Sequence, residues 1–447
     1  MRSQRFGRST MARVQSGFRP YLTTTFLIGL GFFTMGLMDP LYDAYVPVFL
    51  RDFLDRNSLV GLIMTLDNVF ALFLIPIVSH MSDNTRTRIG RRMPYILVTL
   101  PLSAVFFGAI PFAAGTTLVV LIVALFLLNS AKQAARGPVV ALMPDTIPGA
   151  YRSEANGVIN TMGGVAAIVG TVILAPMIDI SVVLPVIGDT RRKLPFLIAA
   201  LLVVGATILL FTFVKETSRA HAERDEKEPL LKSLKLVMGA QERSALWVLL
   251  GIFFWFLGYQ GLLPFVTLYT INELGTTEGV AGLSVGMVAI AYAVFAIPSG
   301  FVAHRIGRRR LIRISLVVVA TLTVIVFFHL PLVNALGLSP GIALASFWVM
   351  LFLFGVFWGS IITNSFPMLW QMATFANMGI YTGLYYFFSQ GAAIIAPPIT
   401  GSLIDLAGYR IIFLYCAACL MVAFVFMGFV TGGEPGHKPA GAGQTSA

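Results

Sequence analysis

Apolar runs long enough to cross a bilayer recur along the whole chain, separated by short polar segments. A crossing helix needs about 20 mostly apolar residues at about 1.5 Å rise each, and this ruler predicts twelve helices. Their limits are 22–50, 58–80, 94–114, 117–143, 154–180, 194–214, 244–271, 279–303, 311–330, 341–368, 378–403 and 409–431. The longest polar stretch, 215–243, mixes six acids with seven bases and divides the helices six and six. The expected plan is an N-terminal segment 1–21, a bundle 22–214, a linker 215–243, a second bundle 244–431 and a tail 432–447.

Composition sharpens this reading. Of 447 residues 57% are apolar and 11% charged, against about 25% charged in a soluble domain, which excludes a soluble enzyme. The net charge of +11 would invite a nucleic-acid reading if its distribution were ignored. Cytoplasmic loops collect Lys and Arg, and with the amino terminus inside, 23 of the 31 Lys/Arg fall in cytoplasmic segments. Only Arg51, Arg56, Arg191, Arg192, Lys193 and Arg410 fall outside, and Lys132 and Arg136 lie within helix four. The expectation is a multi-pass protein of the cell membrane with both termini cytoplasmic, whose partner is the lipid bilayer and not nucleic acid. Cys416 and Cys419 share one helix face and indicate neither a disulfide framework nor a metal site. Arg2, Arg5, Arg8, Arg13 and Arg19 form a basic head, but the apolar run behind them is long, carries Asp39 and Asp43 and lacks a cleavage site, so no signal peptide is expected.

The two halves repeat. Gly90-Arg91-Arg92 recurs as Gly307-Arg308-Arg309, an offset of 217 that also relates Pro47 to Pro264. Between helices two and three, Pro76 to Tyr95 carries Asp83 with Arg86, Arg88, Arg91 and Arg92, a string able to clamp helix ends through charge-assisted hydrogen bonds. A second string, Arg136-Gly137-Pro138-Val139-Val140-Ala141-Leu142-Met143-Pro144-Asp145, closes helix four. Together with Gly300 to Arg310, Asn364-Ser365-Phe366-Pro367 and the Tyr385 to Pro398 stretch, these strings resemble the major facilitator superfamily. The likeness is to its glycoside-pentoside-hexuronide:cation symporters, especially the sucrose:proton symporter-like branch. The resemblance implies an all-α membrane protein whose 12 transmembrane helices form two pseudo-symmetric six-helix bundles. It also implies a gating loop of Asp83, Arg86, Arg88, Arg91, Arg92 and Asp145, matched in the second half by Arg308 and Arg309. Two departures stand out: Ser79 replaces the loop's opening Gly, which is expected to loosen packing there, and Val140 occupies the family's Arg position while Arg136 lies one turn earlier.

Charges buried in a membrane helix cost about 2.5–3.5 kcal/mol each at the bilayer centre, so they need partners or water. Asp43 and Asp67 lie at matched depth, roughly 10–13 Å from the outer end. Two carboxylates close together in a partly dry site resist double ionisation, which suits a proton carrier; structural ion pairing is the alternative for each acid. Asp39 lies one turn deeper, within reach of Lys132, with Arg136 one turn below Lys132. The second bundle holds no mid-helix charge, and its inner polarity comes from Tyr259, Gln260, Asn364 and Gln390, with Asn68 adding an amide in the first. Trp255, Trp358 and Trp370 offer flat faces of the kind sugar sites use, although Trp370 also suits an interfacial anchor.

No Walker loop, zinc motif or nucleophile constellation is present in the sequence, so neither enzyme activity nor a cofactor is expected. The reading is a monomeric secondary transporter moving a sugar-like polar solute with protons, or with sodium, by alternating access. Cation coupling falls to Asp43, Asp67 and Asp39. Solute contact falls to Arg136, Lys132, Asn68, Tyr259, Gln260, Trp358, Asn364 and Gln390. An exporter of amphipathic compounds and a non-transporting sensor or assembly factor are the rival readings.

Overall fold

A computed structural model of the protein describes residues 18–148, 151–216, 243–373 and 378–433. The Arg2, Arg5, Arg8 and Arg13 head, most of the 215–243 linker and nearly all of the 432–447 tail lie outside the described residues. Twelve helices among the described residues are long and apolar enough to span a bilayer. They are α1 (Arg19–Arg51), α2 (Asn57–Asn84), α3 (Met93–Ala114), α4 (Leu118–Thr146), α5 (Glu154–Asp179) and α6 (Leu194–Phe213) in the first half. The second half has α7 (Ser244–Asn272), α8 (Glu278–Ile306), α9 (Arg308–Ala335), α10 (Pro340–Trp370), α11 (Ile380–Ala407) and α12 (Ile411–Gly428). The face where α1 begins and α12 ends is called basal below, and the opposite face distal.

The internal repeat is visible in the packing. In the first half α1 packs on α5 and α6, α4 on α2 and α3, and α3 on α6; adding six to each number gives the packing of the second half. Two six-helix bundles result, joined chiefly where α2 meets α11 and α5 meets α8. Side chains such as Leu201, Ile297 and Phe301 stand exposed on the outer surface, as helices facing lipid require, since lipid tails solvate them as well as a core would.

The helices are longer than the apolar runs because their polar ends continue the winding: α2 extends to Asn84 and α4 to Thr146. Three local breaks matter for the site. In α2 the winding is interrupted at Thr65, whose Oγ1 donates to the Leu62 carbonyl at 2.7 Å. In α5, regular winding ends at Ile168; Val169–Leu174 widens into a π-helical turn and Ala175–Asp179 tightens to 3-10 geometry. Pro47 in α1 and Pro264 in α7 cannot donate to the carbonyls of Asp43 and Gln260 four residues earlier, so both carbonyls are left open at equivalent points of the repeat.

Candidate functional site

On α4, Asn129, Lys132, Gln133 and Arg136 fall at i, i+3, i+4 and i+7, one helical stripe. On α1, Asp39, Tyr42 and Asp43 form the facing stripe, and the break at Thr65 places Asp67 in the first turn of the second α2 segment. Lys132 Nζ lies 2.9 Å from Asp39 Oδ1 and 3.0 Å from Asp67 Oδ1, so one ammonium ties α1, α2 and α4 together. Its charge also sits 4.9 Å from the centre of the Tyr42 ring. Gln133 donates to Asp67, and Asn129 donates to the Tyr42 hydroxyl at 3.0 Å. Lys132 is 3% exposed, whereas the Asp39 and Asp67 side chains are 38% and 22% exposed: the cation is enclosed and the carboxylates face water.

Asp43, one turn distal of Asp39, has no hydrogen-bond or ion-pair partner among the described residues. Arg136 is exposed and likewise makes no such contact among them. Asn68 and Gln260 are partly buried, again with no polar partner there. Lys132 thus takes Asp39 and Asp67 as direct partners, and Asp43 stands within the electrostatic reach of all three without a direct partner among the described residues.

Across from this cluster the second bundle supplies aromatic and amide groups. Tyr259 stacks on Trp358 with ring centres 4.1 Å apart and planes 12° apart, and Phe256 meets Trp358 edge-on. Trp358 is 4% exposed, so it backs Tyr259 and offers no free face here. Trp255 is completely buried and belongs to the core. Trp370 donates to Thr382 Oγ1 at 2.9 Å at the basal end of α10. Asn364 is buried and gives its amide N–H to the Ser360 carbonyl, while lining a small basal cavity with Thr363, His304 and Arg308. The Gln390 carbonyl oxygen is buried without a partner among the described residues, an acceptor left for a donor that enters.

The two bundles are sealed at the distal end and part toward the basal end. Asp405 of α11 accepts from the backbone N–H groups of Asn57 and Ser58 at 2.7 and 3.0 Å, capping the start of α2, and the Tyr409 hydroxyl meets Asn57 Oδ1 at 3.0 Å. Arg192 reaches Glu278 of α8 through a bidentate pair and Asp52 at 2.6 Å. Its φ of 63° is held by these contacts. Burial works against the Arg192 charge, but the Glu278 pair outweighs it and holds its pKa above the ordinary value. The Tyr45 hydroxyl donates to the Ala175 carbonyl at 2.8 Å and lies against Gly282. Along α8 the gap then widens. A Cβ at Gly279 would sit 3.0 Å from the Pro176 carbonyl of α5, one at Gly164 of α5 would sit 3.9 Å from the Ala293 Cβ, and one at Gly157 or Gly300 would meet open space. Among the described residues every hydrogen bond and ion pair between bundles lies at the distal end.

The basal loop after α2 is a clamp within the first bundle. Asp145, at the end of α4, accepts from Arg91 Nε and Arg92 Nε, both at 2.9 Å. Arg92 also reaches Asp83 and the Ser82 hydroxyl, and Glu216 caps the start of α3 by accepting from Arg92 N–H at 2.8 Å. The Asp145 hydrogen bond holds the Arg91 guanidinium above its ordinary pKa. Arg86 and Arg88 stay exposed outside the clamp. Ser79 does not loosen the helices, because its hydroxyl lies directly over Gly137 of α4: the small residue has moved to the partner helix. In the second bundle Arg309 instead donates to the Gly428 carbonyl at 2.7 Å, at the end of α12. Gly90 and Gly307 both hold positive φ, 110° and 91°, which explains why glycine opens each copy of the repeat.

Sequence reasoning missed Gln133, Tyr42, Glu216 and the Arg192–Glu278 latch. Asn129 and Gln133 could have been found beside Lys132 and Arg136 as polar residues at helical spacing in an apolar run; nothing local marked Glu216 or Glu278.

Residues 27–430 match the family described as MFS/sugar transport protein. A segment of 85 residues is 39% identical to the inner membrane transport protein YajR of Escherichia coli (strain K12), and the match spans 19% of each chain. Among solved structures, a mutant of the nucleoside transporter NupG superposes with a TM-score of 0.70 at 13% identity, covering 92% of this chain and 99% of that one. A bacterial homologue of the human lysosomal transporter Spinster, in an inward-facing and occupied conformation, gives 0.70 at 14% identity over 93% and 97%. The transporter FucP in its outward conformation gives 0.56 at 18% identity over 92% and 99%. These structures share its fold.

Proposed function

The chain belongs to the MFS/sugar transport protein family, and from that membership we propose that it is a secondary active transporter. It carries a sugar-like polar solute, with protons as the coupling ion, by alternating access between its bundles. The observation that carries this reading is the cluster in which Lys132 bridges Asp39 and Asp67 beside an unpartnered Asp43. Three carboxylates share one enclosed ammonium, so a proton held by one of them brings the charges closer to balance, and Asp43 is the carboxylate left without a partner. A cation arriving there changes the electrostatic cost of closing the bundles around the cluster, which is how an ion gradient biases alternating access.

Arg136 and Lys132 on one side, and Tyr259, Gln260 and Gln390 on the other, supply charged, amide and aromatic contacts of the kind a polyol uses. That chemistry, and the strings shared with glycoside and sucrose symporters, favour a sugar or glycoside over an amphipathic compound. The lysine and arginine count places the basal face in the cytoplasm. On that orientation the distal seal gives a cytoplasm-open state.

A thermal-shift panel of sugars, glycosides and organic acids identifies the ligand by its stabilisation of the folded state, and the radiolabelled hit is then followed in proteoliposomes. Uptake above equilibrium under an inward proton gradient, collapsing on addition of a protonophore, is expected. Uptake that merely equilibrates, whatever the proton or sodium gradient, would refute coupling, and a panel without solute-dependent flux would refute transport.

A further inference from the structure

We propose that the basal ends of α9 and α12 form a binding site for an anionic phospholipid, with the headgroup phosphate among the α9 arginines and an acyl chain in the cavity behind them. A cavity of about 600 Å³ opens there, lined toward the basal end of α9 by Arg309, Arg310 and Arg313 and further along the helix by Ile314 and Val317, with Phe424 of α12 and Thr431 beyond its end opposite. The spacing Arg310, Arg313, Ile314 and Val317 keeps these side chains on one face of α9. Polarity therefore falls from guanidinium to hydrocarbon over about 10 Å at helical rise, a gradient that matches one lipid molecule and not a free anion.

Charge accounting points the same way. In the first bundle the basal arginines Arg91 and Arg92 are met by Asp83, Asp145 and Glu216. In the second, Arg305, Arg308, Arg309, Arg310 and Arg313 stand at the basal end, and of these Arg310 and Arg313, which line the cavity, have no ion-pair partner among the described residues. Three of these arginines occupy the first turn of α9, which contains no acid, so the positive end of the helix dipole adds to their charge. Arg313 lies 4.7 Å from the Phe424 ring centre, and its Nε is buried without a hydrogen-bond partner among the described residues. An anion at this spot meets converging donors, and basic pockets between spanning helices are the usual form of anionic headgroup recognition.

The test is native mass spectrometry of the full-length protein titrated with phosphatidylglycerol or phosphatidylcholine, with inorganic phosphate as competitor. Phosphatidylglycerol should be retained in preference to phosphatidylcholine, and Arg310→Gln with Arg313→Gln should weaken it about thirtyfold. A charge-matched control, Arg86→Gln with Arg88→Gln, should leave retention unchanged. Val317→Trp, which fills the apolar half while keeping every charge, should also displace the lipid, and it serves if the double arginine variant does not fold. Equal retention of the two lipids, or equal loss in the control, would overturn the proposal. Competition by millimolar phosphate would reassign the site to a free anion.

Discussion

Lys132 Nζ lies 2.9 Å from Asp39 Oδ1, joining α4 to α1 across 93 positions of sequence, and its second contact, 3.0 Å to Asp67, brings in α2. Removing the ammonium leaves two carboxylates facing each other and a third one turn away. Lys132→Ala should lower stability by about 2 kcal/mol, less than for a fully enclosed pair because the Asp39 side chain is 38% exposed. Adding Asp67→Asn should recover part of that loss in thermal unfolding; a double variant less stable than Lys132→Ala would show that Asp67 has another role.

Asp43 and its paired neighbours should separate kinetically. Asp43→Asn is expected to abolish accumulation against a gradient while leaving solute exchange, measured by counterflow in proteoliposomes. If it still concentrates solute, and Asp67→Asn does not, the coupling site is the lysine-bound carboxylate.

Arg136, exposed and one turn basal of Lys132, is free to meet a ligand. Arg136→Lys should weaken solute binding by about 1–3 kcal/mol, because lysine cannot reproduce the guanidinium fork, and should leave the melting temperature within about a degree of the parent. Unaltered affinity by isothermal titration would exclude the contact.

At the basal clamp the two acids differ in enclosure, with Asp145 8% and Asp83 49% exposed at the side chain. Asp145→Ala removes the carboxylate that two arginines share and should cost about 3 kcal/mol, whereas Asp83→Ala should cost less than about 1 kcal/mol. Asp83→Ala is also expected to raise labelling of cysteines at the basal mouth if the loop gates that side. Equal melting temperatures for the two variants would refute the ranking.

The distal seal depends on backbone contact. A Cβ on Gly61 would collide with the Pro397 carbonyl, and one on Gly401 with that of Asn57, neither of which can yield as a flexible side chain would. Gly61→Ala and Gly401→Ala should therefore prop the bundles apart distally, and cysteines at the distal mouth should label faster. Glu278→Gln should do the same more weakly, with an effect that shrinks as salt rises. Unchanged labelling in both glycine variants would mean that the seal shifts to accommodate them.

Twelve helices, their order and the repeat were legible because each rests on local sequence: a bilayer sets the length of an apolar run, and glycine at positive φ marks each copy of Gly-Arg-Arg. The polar stripe of α4 was legible for the same reason, since helical spacing fixes which residues share a face. The choice of partner was not. Asp39, Asp43 and Asp67 look alike along the chain, and only the crossing of α1, α2 and α4 decides that Lys132 takes the first and third. Trp255 and Trp358 likewise read as available rings until packing encloses them. Glu216 and Glu278 read as ordinary acids at helix ends, and become a cap and a latch because helices distant in sequence bring backbone N–H groups and Arg192 to them. Spanning is a property of one segment and pairing a property of several, so the sequence determined which residues enter the membrane and the tertiary structure decided which of them meet.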